Sequence, residues 1–333
     1  MATNRATLKD VAERSGYALR TVKNVVAGKS TVGTPVREAV LQAMKELNYK
    51  PNSLASSLAR NQSFRVAVVL LDHNSAHQQG LLRGLRKCEE QYADFGLSVR
   101  LQLTANDAKA QAMVLEEFYE DDEVDGVLLQ CAHTRILNQQ IDLLTYNEKP
   151  VVTFDNDAPD SKRICFVGPN YIKSGRVAAQ LMTDYLENPG VTLLIYSDAS
   201  KQRIDGFCQY GKVSASASVV LLSCNDPLLS DSKRFLQFCL EHHIRGIYDC
   251  SALCIELLHT LREQIPGVFL IGTDTCSQME SLLAQRCIDI IIDQAPEQIG
   301  YQALASLYQY MRGGDRPTPV LNTPLRIITS ECL

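Results

Sequence analysis

Residues 7–28 read T-L-K-D-V-A-E-R-S-G-Y-A-L-R-T-V-K-N-V-V-A-G. Thr7, with Asp10 three residues on, fits a capping box ahead of the apolar pattern Leu8, Val11, Ala12, so a helix is predicted from about Leu8 to Arg14. Gly16 supplies a tight turn. A second helix is predicted from about Leu19 to Ala27; it buries Val22, Val25 and Val26, shows Leu19, Arg20, Lys23 and Asn24 outward, and stops at Gly28. Thr34 and Pro35 read as the N-cap and first residue of a third helix whose Val36, Ala39, Val40, Ala43, Met44 and Leu47 form one stripe. Helices this short bury little, so the module serves to present side chains. Basic and amide groups on the second helix are what major-groove reading requires, although a generic helical cap would share the pattern.

Charge separates this head from the rest. The whole chain of 333 residues carries a formal charge of −5. Residues 1–63 hold ten basic groups against four acidic ones, which leaves 23 basic against 34 acidic in the remainder. A basic head on an acidic body is the footprint expected when only the head meets phosphate.

Other compositional features narrow the classes. Met1 to Asp10 has no apolar leader, and runs such as Val66 to Leu71 have the length of strands, so a cytoplasmic chain with no membrane partner is expected. The eleven cysteines are scattered without a C-x-x-C pair; Cys250 with Cys254, and Cys131 with His133, lack further ligands, so reduced core thiols and no metal are expected. No G-x-G-x-x-G, P-loop or nucleophile elbow occurs, and the six histidines have no base–nucleophile spacing, which argues against a cofactor and an enzyme.

From Arg65 onward, short apolar runs alternate with amphipathic segments. Strands are predicted at 66–71, 97–103, 126–130, 151–154, 191–196, 219–223, 246–249, 268–271 and 288–292. Helices are predicted at 79–92, 108–119, 134–145, 175–186, 232–242, 255–264, 279–284 and 296–311. Such alternation implies parallel sheets with crossover helices, most economically in two lobes around a cleft. Ligands in open α/β sheets bind beyond the carboxyl ends of the strands. The polar residues placed there are Asp72 and His73, Asp155-Asn156-Asp157, Asp198, Asp249, Thr273-Asp274 and Asp293-Gln294. Each alone could be a helix cap or turn residue; together they favour a polyhydroxyl ligand.

The 7–28 stretch, followed by Leu47-Asn48-Tyr49-Lys50-Pro51-Asn52 and Leu54 to Ala59, resembles the head and hinge of the LacI/GalR family of bacterial transcription regulators. The resemblance implies an all-α helix-turn-helix head on an α/β two-lobed, periplasmic-binding-protein-like (type I) body. It implies residues 1–50 as the head, 51–63 as a hinge and 64–333 as the sensor, with a first lobe at about 64–164 and 294–324 and a second at about 165–293 and 325–333. Leu19, Arg20 and Asn24 fall at the family's base-reading positions, and Thr7, Thr21 and Lys23 at its phosphate contacts. Asn52, Ala55 and Leu58 fall on the hinge helix, Leu58 as the wedge entering the minor groove. The serines at 53, 56 and 57 make that segment a poor helix on its own, suited to folding on DNA. Two departures stand out: Ala18 replaces a capping serine, and Lys23-Asn24 replaces serine-arginine.

The body likewise resembles the sugar-binding relatives of that family. Pro150 to Ser161, Arg203-Ile204-Asp205-Gly206-Phe207, Gly272-Thr273-Asp274 and Gln294 to Gly300 occur in the family's order. The candidate ligand contacts are Asp72, His73, Asp155, Asn156, Arg203, Asp249, Asp274 and Gln294, of which the resemblance implies Asp155, Arg203, Asp274 and Gln294; the implied partners are double-stranded operator DNA, a carbohydrate-like effector and a second copy of the chain. The body departs from the pattern at Tyr248-Asp249-Cys250-Ser251 and in having no aromatic between Asp72 and His77. A transport-type sugar binder and a regulator with a protein effector remain open as rivals.

Overall fold

The computed structural model describes residues 8–26, 33–47, 63–73, 75–133, 135–186, 190–197, 200–210, 218–250 and 255–333. The chain divides into two compact units between Ser63 and Phe64.

The first unit holds α1 (Leu8–Ser15), α2 (Leu19–Val26) and α3 (Thr34–Glu46). Val11, Val22, Val25, Val40 and Ala43 meet in a small core. Gly16 turns the chain with φ +74°, a conformation that costs other residues strain. The backbone carbonyl of Ala18 accepts from Thr21 N at 2.8 Å and Val22 N at 3.1 Å, so α2 starts without a side-chain cap. The expected Thr34 cap is displaced by one residue: Gly33 is the N-cap and Thr34 is already helical, because Pro35 is tolerated anywhere in the first turn.

The second unit begins with β1 (Phe64–Leu71), α4 (Ala76–Tyr92), β2 (Leu97–Thr104), α5 (Ala108–Glu120), β3 (Gly126–Leu129), α6 (Asn138–Tyr146), β4 (Val151–Phe154) and β5 (Cys165–Pro169). It continues with α7 (Tyr171–Tyr185), β6 (Val191–Tyr196), α8 (Lys201–Cys208), β7 (Ser218–Ser223), α9 (Ser232–Glu241) and β8 (Ile244–Asp249). α10 (Ile255–Gln264), β9 (Phe269–Thr273), α11 (Ser277–Ala284), β10 (Ile290–Asp293), α12 (Pro296–Met311), β11 (Val320–Thr323) and β12 (Arg326–Ile328) complete it.

The strands form two six-stranded sheets, ordered β11-β5-β4-β3-β1-β2 and β12-β10-β9-β8-β6-β7. Every pairing is parallel except β10 with β12. Alternate residues of one strand face opposite layers: Val66, Val68 and Leu70 pack toward Leu81, Leu85, Ile299 and Leu304, while Ala67 and Val69 pack toward Leu115, Phe118, Ile141 and Leu144. The second sheet repeats the plan, with Leu193 and Ile195 on one side and Leu194, Tyr248 and Ile271 on the other.

Other expectations shift as well, and the helix expected from 134 begins at Asn138. The first lobe does not end at about 164, because Cys165–Pro169 is β5 of the first sheet; its Gly-Pro ending reads as a turn and hid the strand. α4 starts at Ala76 rather than Gln79, since Ser75 caps it by accepting from Gln78 N at 3.1 Å. α7 starts at Tyr171 rather than Gly175, since the Asn170 side chain accepts from Lys173 N at 2.9 Å. Both earlier starts carry a side chain to the cleft end of the sheets.

Candidate functional site

On α2 the head keeps Val22 and Val25 inward, leaving Arg20 exposed and Leu19, Thr21 and Asn24 half-buried. Arg20 and Asn24 are four residues apart and therefore share a face. Lys23 lies on the same helix, but its side chain, like Thr7, Asn52, Ala55 and Leu58, is outside the described residues.

In the body, β4 and β9 end alike. Asp155 and Asp274 both adopt a left-handed backbone with φ 61°, unusual for a residue with a side chain and maintained only where the surroundings fix it. The turn aims both carboxylates at His77, in the first turn of α4. His77 Nε2 lies 2.8 Å from Asp155 Oδ1 and His77 Nδ1 lies 2.9 Å from Asp274 Oδ2. Carboxylate oxygens only accept, so a ring facing one with each nitrogen is satisfied on both sides only as imidazolium.

Each aspartate has its own support. Asp155 Oδ2 accepts from Gln130 Nε2 at 2.8 Å, and the Tyr171 hydroxyl lies 2.9 Å from the Asp155 carbonyl and 3.0 Å from Oδ1. Gln130 is fixed in turn, its Oε1 accepting from Leu71 N at 3.0 Å. Asp274 accepts from Gln294 Nε2 at 2.8 and 2.7 Å, and Gln294 Oε1 accepts from Arg203 Nη2 at 2.6 Å. Arg203 also donates from Nη1 to the Cys250 carbonyl at 2.8 Å and lies 4.7 Å over the Tyr171 ring. Arg203 Nε is buried and has no hydrogen-bond partner among the described residues. A Cβ on Gly175 would overlap the Arg203 carbonyl, so glycine there allows α7 and α8 to close up and bring Arg203 beside Tyr171.

Charge in this chain is mutually maintained. Burial opposes ionisation of His77, but the two carboxylates outweigh it and hold its pKa well above the ordinary histidine range. Burial likewise pushes Asp155 and Asp274 up, yet His77 overrides it and both sit below the usual carboxylate range. Burial, then the Asp155 charge, raises the Tyr171 hydroxyl well above its usual range, so it stays a donor.

Asp155, Arg203, Asp274 and Gln294, all anticipated from the sequence, thus meet in one network. The others do not join it. Asp72 and His73 follow β1 but stand exposed. Asn156 Nδ2 donates to the Cys131 carbonyl at 3.2 Å. Asp249 is fully buried at the end of β8, where its backbone carbonyl accepts from Thr273 Oγ1 at 2.7 Å. Asp157 pairs with Arg163, and Asp293 with Arg326, which ties β10 to β12. Asp198 lies outside the described residues. His77, Gln130 and Tyr171 are the members that sequence reasoning missed. Ser75-Ala76-His77-Gln78 is itself an S-x-x-Q capping box, which would have placed His77 on the first turn of α4. Among the described residues no cluster of His, Cys, Asp and Glu suits a metal ion, and no helix is long and apolar enough to cross a membrane.

Comparison with known proteins agrees with this division. Residues 66–315 match the periplasmic binding protein domain family, and residues 7–52 match the bacterial regulatory proteins of the lacI family. The ribose operon repressor of Escherichia coli K12 is 32% identical over 180 residues, 54% of this chain and 52% of that protein. The ribose operon repressor of Halalkalibacterium halodurans is 25% identical over 286 residues, 80% of each. The chain thus spans about half the length of the first curated relatives it matches. Among solved structures, a glucose-galactose binding protein from Geobacillus stearothermophilus shares the fold with TM-score 0.69 and 20% identity, over 82% of this chain and 99% of that one. A Bacteroides fragilis protein described provisionally as a LacI transcriptional regulator has TM-score 0.70 and 19% identity, over 81% and 98%. With a match that covers most of the chain, this protein belongs to the periplasmic binding protein domain family, and its head matches the lacI family of bacterial regulatory proteins.

Proposed function

We propose that this chain is a sequence-specific repressor of transcription, acting as a dimer in the bacterial cytoplasm, whose affinity for operator DNA is set by a polyhydroxyl ligand bound between the lobes of its body. The observation that carries the reading is the meeting of Asp155, from the end of β4, with Asp274, Gln294 and Arg203, from the second lobe and its crossover, in one hydrogen-bonded chain. Sugar hydroxyls both donate and accept. They match two carboxylates that accept, a glutamine that does both, and Arg203 Nε, a buried donor with no partner among the described residues. Asn156, Asp72 and His73 are assigned to the outer parts of the same cleft, and the fully buried Asp249 to its inner end.

In the head, Arg20 would read guanine through its two-pronged guanidinium, Asn24 would read adenine, and Leu19 would touch a base edge, while Thr7, Thr21 and Lys23 hold phosphates. Asn52, Ala55 and Leu58 would order as a paired hinge in the minor groove. Ligand binding changes the angle between the lobes, and thereby the separation of the two hinges in the dimer. A coupling of about 1–3 kcal/mol, roughly 5–150-fold in operator affinity, is enough for control.

The test is binding of the purified chain to the DNA upstream of its own gene, repeated with a panel of neutral sugars. Sequence-selective, salt-sensitive binding that one sugar shifts supports the reading, and binding indifferent to DNA sequence contradicts it.

A further inference from the structure

We infer that His77 is a built-in occupant of the cleft: its imidazolium joins Asp155 of the first lobe to Asp274 of the second, and it holds the lobes together until the ring loses its proton or a ligand displaces it. The inference rests on the reading of this cleft as the effector site and adds a regulator to it, the proton.

The geometry is that of a bound ligand supplied by the protein itself. His77 belongs to the first lobe through α4, and its Nδ1 contact with Asp274, at 2.9 Å, crosses to the second. The ring sits between side chains that the sequence had marked as ligand contacts. It is 17% accessible, against 9% for each aspartate, so the ring is the more exposed member of the trio and open to proton exchange. Both aspartates hold the left-handed backbone that aims them at the ring.

Charge makes the contact conditional. The hydrogen-bonded chain from Asp155 through His77, Asp274 and Gln294 to Arg203 contains two carboxylates and one guanidinium. It is neutral with His77 protonated and carries an excess negative charge without that proton. The groups facing the ring are Asp155 from β4 and Asp274 from β9. Tyr171 on α7 lies behind Asp155, and Arg203 on α8 behind Asp274; on the ring's own segment, Asp72 and His73 stand exposed. The surrounding carboxylates hold the ring's pKa above its ordinary value, so, while both aspartates stay ionised, the latch is fully present below about pH 6.5, the unfolded value, and is lost as pH rises through the folded pKa. An external ligand replaces the ring only if it brings donors to both carboxylates, and an organic cation also restores the charge.

The test compares thermal unfolding of the full chain and of His77→Ala across neutral pH, with imidazole as the probe. At about pH 6 the variant should melt lower by on the order of 5–10 °C, and the gap should close as pH rises. Millimolar imidazole, mostly cationic at that pH, should restore about half or more of the loss in the variant while leaving the wild type unmoved. A gap independent of pH, or imidazole stabilising both proteins equally, overturns the latch. If His77→Ala does not fold, ring resonances of His77 in the wild type give the answer: a ring still protonated well above about pH 6.5 supports the latch, and one titrating at or below that value overturns it. A wild type that binds no operator defeats the proposed function without touching this result, whereas a pH-independent gap defeats the latch alone.

Discussion

In the head, Arg20 stands exposed and Asn24 half-buried on α2, above a small core whose buried members, among the described residues, are Val11, Val22, Val25, Val40 and Ala43. In the body, Asp155, Arg203, Asp274 and Gln294 are buried where two lobes meet, each held by neighbours that are themselves held. Under the proposed function, the contrast follows from what each region would recognise. DNA is large and stays outside, so its readers project into water and add little to stability. A small ligand has to be enclosed, so its readers are desolvated and costly to leave unpaired. Binding and folding should therefore separate under mutation in the head and move together in the body.

The largest break in that contrast comes from the body. Asp274→Ala strands the His77 charge and the Gln294 amide, and should cost about 3–5 kcal/mol, read as a lowered melting temperature together with lost effector response. Asp274→Asn should recover part of it. The same carboxylates set the acid limb: Asp155 and Asp274 lie below the ordinary range, so their contribution is present above about pH 3.9 and disappears as pH falls through their folded values. Thermal melts from neutral pH downward check this.

Next, Val22→Ala removes buried methyls from the head core and should cost about 2 kcal/mol there, weakening operator binding while the effector response of the body is kept. Arg20→Ala should leave the melting temperature unchanged and weaken binding to the preferred sequence by about 1–3 kcal/mol, with discrimination lost at one base pair; gel-shift titration against variant sites measures both. The smallest effect is a gain. Ala18 already offers its carbonyl to the first turn of α2, so Ala18→Ser adds a side-chain acceptor and should stabilise the head by about 0.5–1 kcal/mol in denaturant melts.

The two regions also differed in how readily sequence disclosed them. The head was legible because a turn glycine, a proline in the first turn of α3 and a stripe of valines act within a few positions of one another. The alternation of the body was legible for the same reason, since strands buried along most of their length, such as Phe64–Leu71, write themselves as apolar runs. β5 was lost because Gly168 and Pro169 sit inside the strand rather than after it. The site was half legible. Residues at strand ends follow a rule of sequence position, which found Asp155, Asp274 and Gln294. His77 and Tyr171 enter from the first turns of helices, and their roles depend on partners 78 and 197 residues away for His77 and 16 for Tyr171, distances at which no local pattern operates. The same rule over-reached at Asp157 and Asp293, whose carboxylates are engaged by Arg163 and Arg326.

The central claim, one region reading DNA under the control of the other, is tested most directly by titrating the full chain against its own upstream DNA with and without each of a panel of neutral sugars. The account predicts salt-sensitive, sequence-selective binding that one sugar shifts by roughly 5–150-fold and that Arg20→Ala weakens. Binding of equal strength to any DNA sequence, unmoved by every sugar and by Arg20→Ala, would contradict it.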